Sequence, residues 1–172
     1  MNYLIKEKVN LNYKIAKFEK ISIKQYELDE PNSTSSTYQD IKLPKRGTIG
    51  SAGYDFFMPY DLTIKSKETC LIKTGIRCKI DEGFVLSIYP RSSLGFKYQL
   101  MLDNTVGIID SDYYFAKNEG HIMIKVTNHS TKDLVLDKGV GFAQGIFTRF
   151  YLTIDDDVNE VRTGGIGSTN KG

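Results

Sequence analysis

Apolar residues recurring at every second position organise the chain from Ile41 onward, as in Leu62/Ile64, Phe84/Leu86/Ile88 and Ile122/Ile124/Val126. An extended strand turns successive side chains to opposite faces, so each run offers one face to a core and one to water. Gly75, Gly83 and Gly107 punctuate the runs as turns. No segment sustains an i, i+3, i+4, i+7 stripe over several turns, which excludes a helical bundle or a doubly wound sheet. The pattern predicts an all-β chain of the jelly-roll, barrel or sandwich type, and 172 residues make one domain rather than two.

The flanks read differently from this core. Ile21 and Ile23 alternate with Ser22 and Lys24, predicting a half-buried first strand within residues 14–28. The polar run from Pro31 to Thr37 predicts a mobile loop. Residues 1–40 are therefore expected to form an N-terminal extension and residues 41–154 the β core. Residues 155–172 are an acidic connector, from Asp155 to Glu160, followed by a flexible Gly-rich arm. The first twenty residues interleave Lys with short apolar stretches and never reach the continuous run of a signal peptide or membrane span, so a cytoplasmic protein without a membrane partner is expected.

Charge and reactive side chains narrow the chemistry. Lys and Arg number 23 against 21 Asp and Glu, a net charge of +2, which disfavours coating of nucleic acid but leaves room for a local pocket holding a small polyanion. Cys70 and Cys78 have no zinc-type spacing and read as reduced thiols. His121 and His129 accompany neither G-x-S-x-G nor H-E-x-x-H, so no hydrolase triad or zincin is indicated. Catalysis, if present, falls to carboxylates, hydroxyls and arginine.

Three segments carry such groups. Pro90-Arg91-Ser92-Ser93-Leu94-Gly95 places a forked cation and two hydroxyls at a bend, suited either to phosphate oxygens or to stabilising a turn. Asn104 to Tyr113 is an apolar, hairpin-like stretch that delivers Asp110 and, three residues on, an aromatic ring, although Asp residues at turns are often plain turn formers. Arg162 to Thr169 combines an arginine, glycines and hydroxyls, the makings of a phosphate cradle or of an ordinary Gly-rich terminus.

Five short motifs occur in a fixed order: SAGYDF, PRSSLG, NTVGIIDSDY, GFAQGIF and RTGGIGST. Together they resemble the trimeric dUTPases. The resemblance implies a jelly-roll homotrimer with active sites at subunit interfaces, each closed by a neighbour's C-terminal arm. It implies Mg²⁺-assisted hydrolysis of dUTP to dUMP and pyrophosphate, which limits uracil in DNA and supplies dUMP for dTMP synthesis. Asp110 matches the carboxylate that orients the water attacking the α-phosphorus, and Asp55 the residue that engages the metal through its waters. Arg91, Ser92, Ser93 and Gln144 match phosphate contacts, and Arg162, Gly167, Ser168 and Thr169 match the arm that grips the far end of the triphosphate. Asn104, Gly107, Ile108, Ile109 and Met123 match the uracil pocket, with Tyr113 the ring under the deoxyribose that selects against UTP.

Two departures from the pattern stand out. The Tyr-Arg-Gly expected after the catalytic Asp is replaced by Tyr113 to Gly120, a lengthened hairpin, and Ile166 stands where an aromatic would stack on uracil. His121, Tyr114 or Phe115 is the candidate replacement cap. The residues after the first Gly of the fourth motif, Val140 and Gly141, also depart from the family's acidic and basic pair. Two competing readings are a dCTP deaminase, which shares the R-S-S feature but lacks the G-I-I-D-x-D-Y run, and a non-catalytic dUTP-sensing interaction protein on the same fold.

Overall fold

The computed structural model describes residues 13–31, 35–160, 162 and 164. The elements run β1 (Ala16–Lys20), α1 (Ile23–Asp29), α2 (Ser35–Gln39), β2 (Lys45–Arg46), β3 (Tyr54–Phe57), β4 (Leu62–Ile64), β5 (Thr69–Lys73), β6 (Ile76–Ile80) and β7 (Phe84–Pro90). After α3 (Ser92–Tyr98) come β8 (Leu100–Leu102), β9 (Gly107–Ile109), a 3₁₀ helix (Ser111–Phe115), β10 (Met123–Asn128), β11 (Leu134–Leu136) and β12 (Gly141–Arg149). The largest sheet has the order β2-β3-β12-β7-β9; a second is β5-β10-β8, and β1-β6 and β11-β4 form two-stranded ladders. These are open sheets around a shared core, a jelly-roll-like sandwich rather than a closed barrel. Phe56 of β3, Ile72 of β5, Leu86 and Ile88 of β7, Val126 of β10 and Phe142 of β12 all belong to that core. Each fully buried side chain of this size contributes about 1.5–3 kcal/mol.

The alternating runs fall where the sequence places them, in β4, β7 and β10. A first strand does lie within residues 14–28, but it is Ala16–Lys20, paired antiparallel to β6, and the Ile21/Ile23 alternation that suggested it belongs to a helix start. Ser22 is the N-cap of α1, its hydroxyl accepting from the Gln25 N–H at 3.1 Å, so a capping hydrogen bond overrides the period-two signal. Helix α1 packs Tyr26 into the core and Ile21 precedes it there. The polar run expected as a loop is helical from Ser35 to Gln39, and Lys20 Nζ donates to the Tyr38 and Gln39 carbonyls at its C-terminal end. Residues 32–34 of that run and residues 1–12 lie outside the described residues.

The stretch from Asn104 to Tyr113 is not a two-stranded hairpin. Strand β8 pairs with β10, whereas β9 pairs with β7, so the chain changes sheets between them. Thr105 makes this change at φ +61°, an uncommon conformation for a β-branched residue, with its N–H bonded to Leu102 O at 2.9 Å. The gap opened where β8 leaves one sheet and β9 enters the other forms a concavity.

Candidate active site

That gap is a cleft of about 520 Å³. Asn104, Gly107, Ile108, Ile109, Asp110, Tyr113, Met123 and Arg162 line it, all of them expected from sequence. The remaining wall is mostly apolar, from Leu71 on β5 and Ile88 on β7 to Ile124 on β10, and Asp103 and Lys125 form a polar part of it. Sequence reading missed these last two. Asp103 accepts from Thr127 Oγ1 at 2.6 Å and pairs with Lys125 at 3.1 Å; the Thr127 bond is the foremost cause holding its carboxyl below the ordinary range. Gly107 eases the close approach of β9 to β7, because a Cβ there would stand 3.1 Å from Ile88 Cβ, tighter than ordinary van der Waals contact.

Asp110 follows β9 and precedes the 3₁₀ helix with extended backbone, and its side chain is about half exposed at 48%. It is not held by the helix it precedes; instead Arg162 Nη2 donates to Asp110 Oδ2 at 2.6 Å, while Arg162 Nε donates to Asp112 Oδ1 at 2.8 Å. The guanidinium thereby spans two carboxylates and lies 5.7 Å from the Tyr113 ring centroid. Arg162, expected over a neighbour's site, here pairs within its own chain, as a forked cation will with two carboxylates in reach. Tyr113 is buried, with its ring in the cleft wall and its hydroxyl turned away to His121 O at 2.8 Å. Burial raises its phenol above the ordinary value of 10.0, so it stays protonated at neutral pH.

A second cluster gathers the expected phosphate contacts. Arg91 Nε lies 3.3 Å from Asp55 Oδ1, and Asp55 on β3 sits opposite Gln144 on β12 in register. Gln144 Nε2 donates to Pro90 O at 3.3 Å, and Ser92 and Ser93 open α3 with exposed side chains. Gly141 permits the approach of Arg91, since a Cβ there would stand 2.8 Å from its Nη1. This cluster supplies a guanidinium, hydroxyls and an amide, a donor set suited to phosphate oxygens.

The two clusters do not meet within one chain. Leu86 pairs with Ile109, so Asp110 lies beyond one end of the β7 pairing and Arg91 follows Pro90 at the other. Six residues of strand separate those ends, roughly 20 Å at about 3.3 Å per residue. Ile166, Gly167, Ser168 and Thr169 lie outside the described residues.

The candidate caps resolve differently. His121 is fully buried, its Nε2 accepting from the Gly75 N–H at 2.8 Å and its Nδ1 donating to Asp29 at 2.6 Å, so it cannot cover a base. Tyr114 donates to Glu19 at 2.6 Å and lies beneath Arg77, which ties it to β1. Phe115 is exposed and packs edge-on against Tyr114. The segment expected as a lengthened hairpin is the 3₁₀ helix followed by a tight turn through Glu119 and Gly120, both at positive φ.

Among the described residues no group of three or more His, Cys, Asp or Glu is placed to hold a metal ion, and no helix is long and apolar enough to cross a membrane. Cys70 and Cys78 are free thiols.

The dUTPase family model matches residues 39–170. The deoxyuridine 5'-triphosphate nucleotidohydrolase of Lactococcus lactis is 43% identical over 133 residues, which cover 75% of this chain and 88% of that protein. The crystal structure of the dUTPase from Streptococcus mutans superposes with a TM-score of 0.63 at 35% identity, covering 79% of this chain and 97% of that one. A mutant dUTPase from phage phi11 of S. aureus, described for its coordination of a structural Mg(II) ion, superposes with a TM-score of 0.63 over 86% of this chain and 98% of its own; at 18% identity it speaks for the fold alone.

Proposed function

The chain belongs to the dUTPase family and is a dUTP diphosphatase, and from that premise we propose how its residues divide the hydrolysis of dUTP to dUMP and pyrophosphate. The observation that carries the proposal is the cleft at the sheet change, which unites Asn104, Gly107, Asp110 and Tyr113 in one wall. The uracil lies along Gly107, Ile108, Ile109 and Met123, where backbone groups and Asn104 meet its polar edge and the close walls leave little space for a 5-methyl group. Tyr113 stands under the deoxyribose, so a 2′-hydroxyl would meet an aromatic face and lose its hydration. Asp110 orients and deprotonates the water that attacks the α-phosphorus, for which its half-exposed carboxylate has both solvent access and a free lone pair.

Charge on the phosphates is met by Arg91, Ser92, Ser93 and Gln144, and by the arm carrying Arg162, Ile166, Gly167, Ser168 and Thr169. Because Asp110 and Arg91 of one chain are roughly 20 Å apart along β7, farther than one triphosphate reaches, the site draws them from different subunits of a homotrimer. Mg²⁺ fits this donor set: it commonly takes one or two carboxylates together with water and substrate phosphates, and Asp55 offers such a carboxylate beside Arg91. When bound, the ion neutralises phosphate charge and fixes the triphosphate's shape. Free thiols at Cys70 and Cys78 accord with a cytoplasmic setting.

The test is pyrophosphate release from dUTP with Mg²⁺, beside dCTP, dTTP and UTP. Wild type should turn over dUTP selectively, and Asp110→Asn should lose about 10²–10⁴-fold in kcat. Binding of dUTP without pyrophosphate release would overturn the assignment of Asp110 and favour a nucleotide sensor.

A further inference from the structure

We propose that Asn118, outside the cleft, is a positioning residue that sets discrimination between deoxyribose and ribose through the Tyr113 hydroxyl. The inference rests on the placement of Tyr113 under the sugar and extends it to a residue that touches no substrate.

The Tyr113 hydroxyl has two protein partners. It accepts from Asn118 Nδ2 at 2.9 Å and donates to His121 O at 2.8 Å. A ring attached only at its Cβ swings about χ1 and χ2, whereas one also held at its far end by two bonds of defined direction is fixed in tilt. Selection against a 2′-hydroxyl depends on that tilt, because the aromatic face must lie where the extra oxygen would be.

Asn118 is itself held by anchors remote in sequence. Glu119, its neighbour, accepts from the Ser22 N–H and the Ser22 hydroxyl, both at 2.7 Å. Tyr114, on the other side, donates to Glu19 at 2.6 Å. Arg77 lies between, 4.4 Å over the Tyr114 ring, 3.4 Å from Glu19 and 4.0 Å from Glu119. His121, whose carbonyl is the hydroxyl's other partner, is fixed between Asp29 of α1 and Gly75. The connection from β1 into α1 thus braces the segment that replaces Tyr-Arg-Gly, and the brace ends on the Tyr113 hydroxyl.

Stability and selectivity can be separated here. Asn118 Oδ1 is buried without a hydrogen-bond partner. An orphaned buried acceptor costs about as much as one neutral hydrogen bond contributes, so removing the whole amide should change stability little.

The experiment measures kcat/KM for dUTP and for UTP, together with Tm, in wild type, Asn118→Ala, Tyr113→Phe and the double variant. Asn118→Ala should lower the dUTP/UTP ratio about fivefold while Tm stays near wild type. Tyr113→Phe, which removes the same bond from the other side, should lower it at least as much. In the double variant the Asn118 change should add nothing beyond Tyr113→Phe, since the atom through which it acts is gone. An unchanged ratio in Asn118→Ala overturns the inference, as does an equal further loss in the Tyr113→Phe background. If Asn118→Ala does not fold, an unchanged ratio in Tyr113→Phe alone refutes it. Failure of wild type to hydrolyse dUTP, by contrast, would strike at the assigned function.

Discussion

A mixture of two inactive chains should recover activity. Asp110→Asn removes the proposed water-orienting carboxylate, and Arg91→Ala removes a proposed phosphate contact, so each pure variant should fall at least about 10²-fold. The register of β7 against β9 sets the two groups at opposite ends of the strand, roughly 20 Å apart at about 3.3 Å per residue. One triphosphate cannot touch both in one chain, so on the proposed assignment a working site takes them from different subunits. In an oligomer formed from equal amounts of the variants, a site has a half chance of an intact Asp110 and, independently, a half chance of an intact Arg91. The expected recovery is therefore about a quarter of wild-type activity. The variants would be unfolded together in denaturant, refolded as a mixture and assayed for pyrophosphate release, with separately refolded variants mixed afterwards as the control. If the co-refolded sample assembles but does no better than the control, both groups serve the same chain's site, and the reasoning from the strand register is wrong.

Two further outcomes follow from the turn beyond Tyr113. Gly120 has φ +70°, and a Cβ there would stand 2.7 Å from Tyr113 O and 2.8 Å from Tyr114 Cα, both backbone atoms. Gly120→Ala should destabilise the chain by about 2–4 kcal/mol in urea unfolding, and a loss under about 0.5 kcal/mol would show the turn to be free to adjust. Burial holds the His121 imidazole below its ordinary value of 6.5, although the Asp29 bond opposes this. The unfolded chain then binds the extra proton more readily, so stability is full above pH 6.5 and falls as pH drops below that value. Tm measured from pH 7.5 to 5 should decline more steeply for wild type than for His121→Asn, and parallel curves would refute the assignment.

Local patterning made the strands legible. Leu86 and Ile88, or Ile124 and Val126, face one core at spacing two, and nothing nearby competes. The alternation at Ile21 and Ile23 misleads because Ser22 caps a helix, and the signal that could have corrected it is Gln25 three residues on, as in a capping box. The cleft residues were legible as an ordered set of motifs. Their arrangement was not, because a change of sheets looks like a hairpin when only the turn is visible. The bracing roles of Asn118, Glu119 and His121 carried no local signal, since Ser22 lies 97 residues from Glu119 and Asp29 lies 92 from His121.

Those long separations also order events during folding. Strand β1 is made early but has no ladder until β6 exists, and Ser22 has no carboxylate to bind until residue 119 has been made. Closing loops of this length is entropically costly and slow relative to local structure. The connection from β1 into α1 therefore cannot complete its contacts with residues 119 and 121 until the chain has been made past them, and the segment behind Tyr113 is braced only when the two ends of this arc meet.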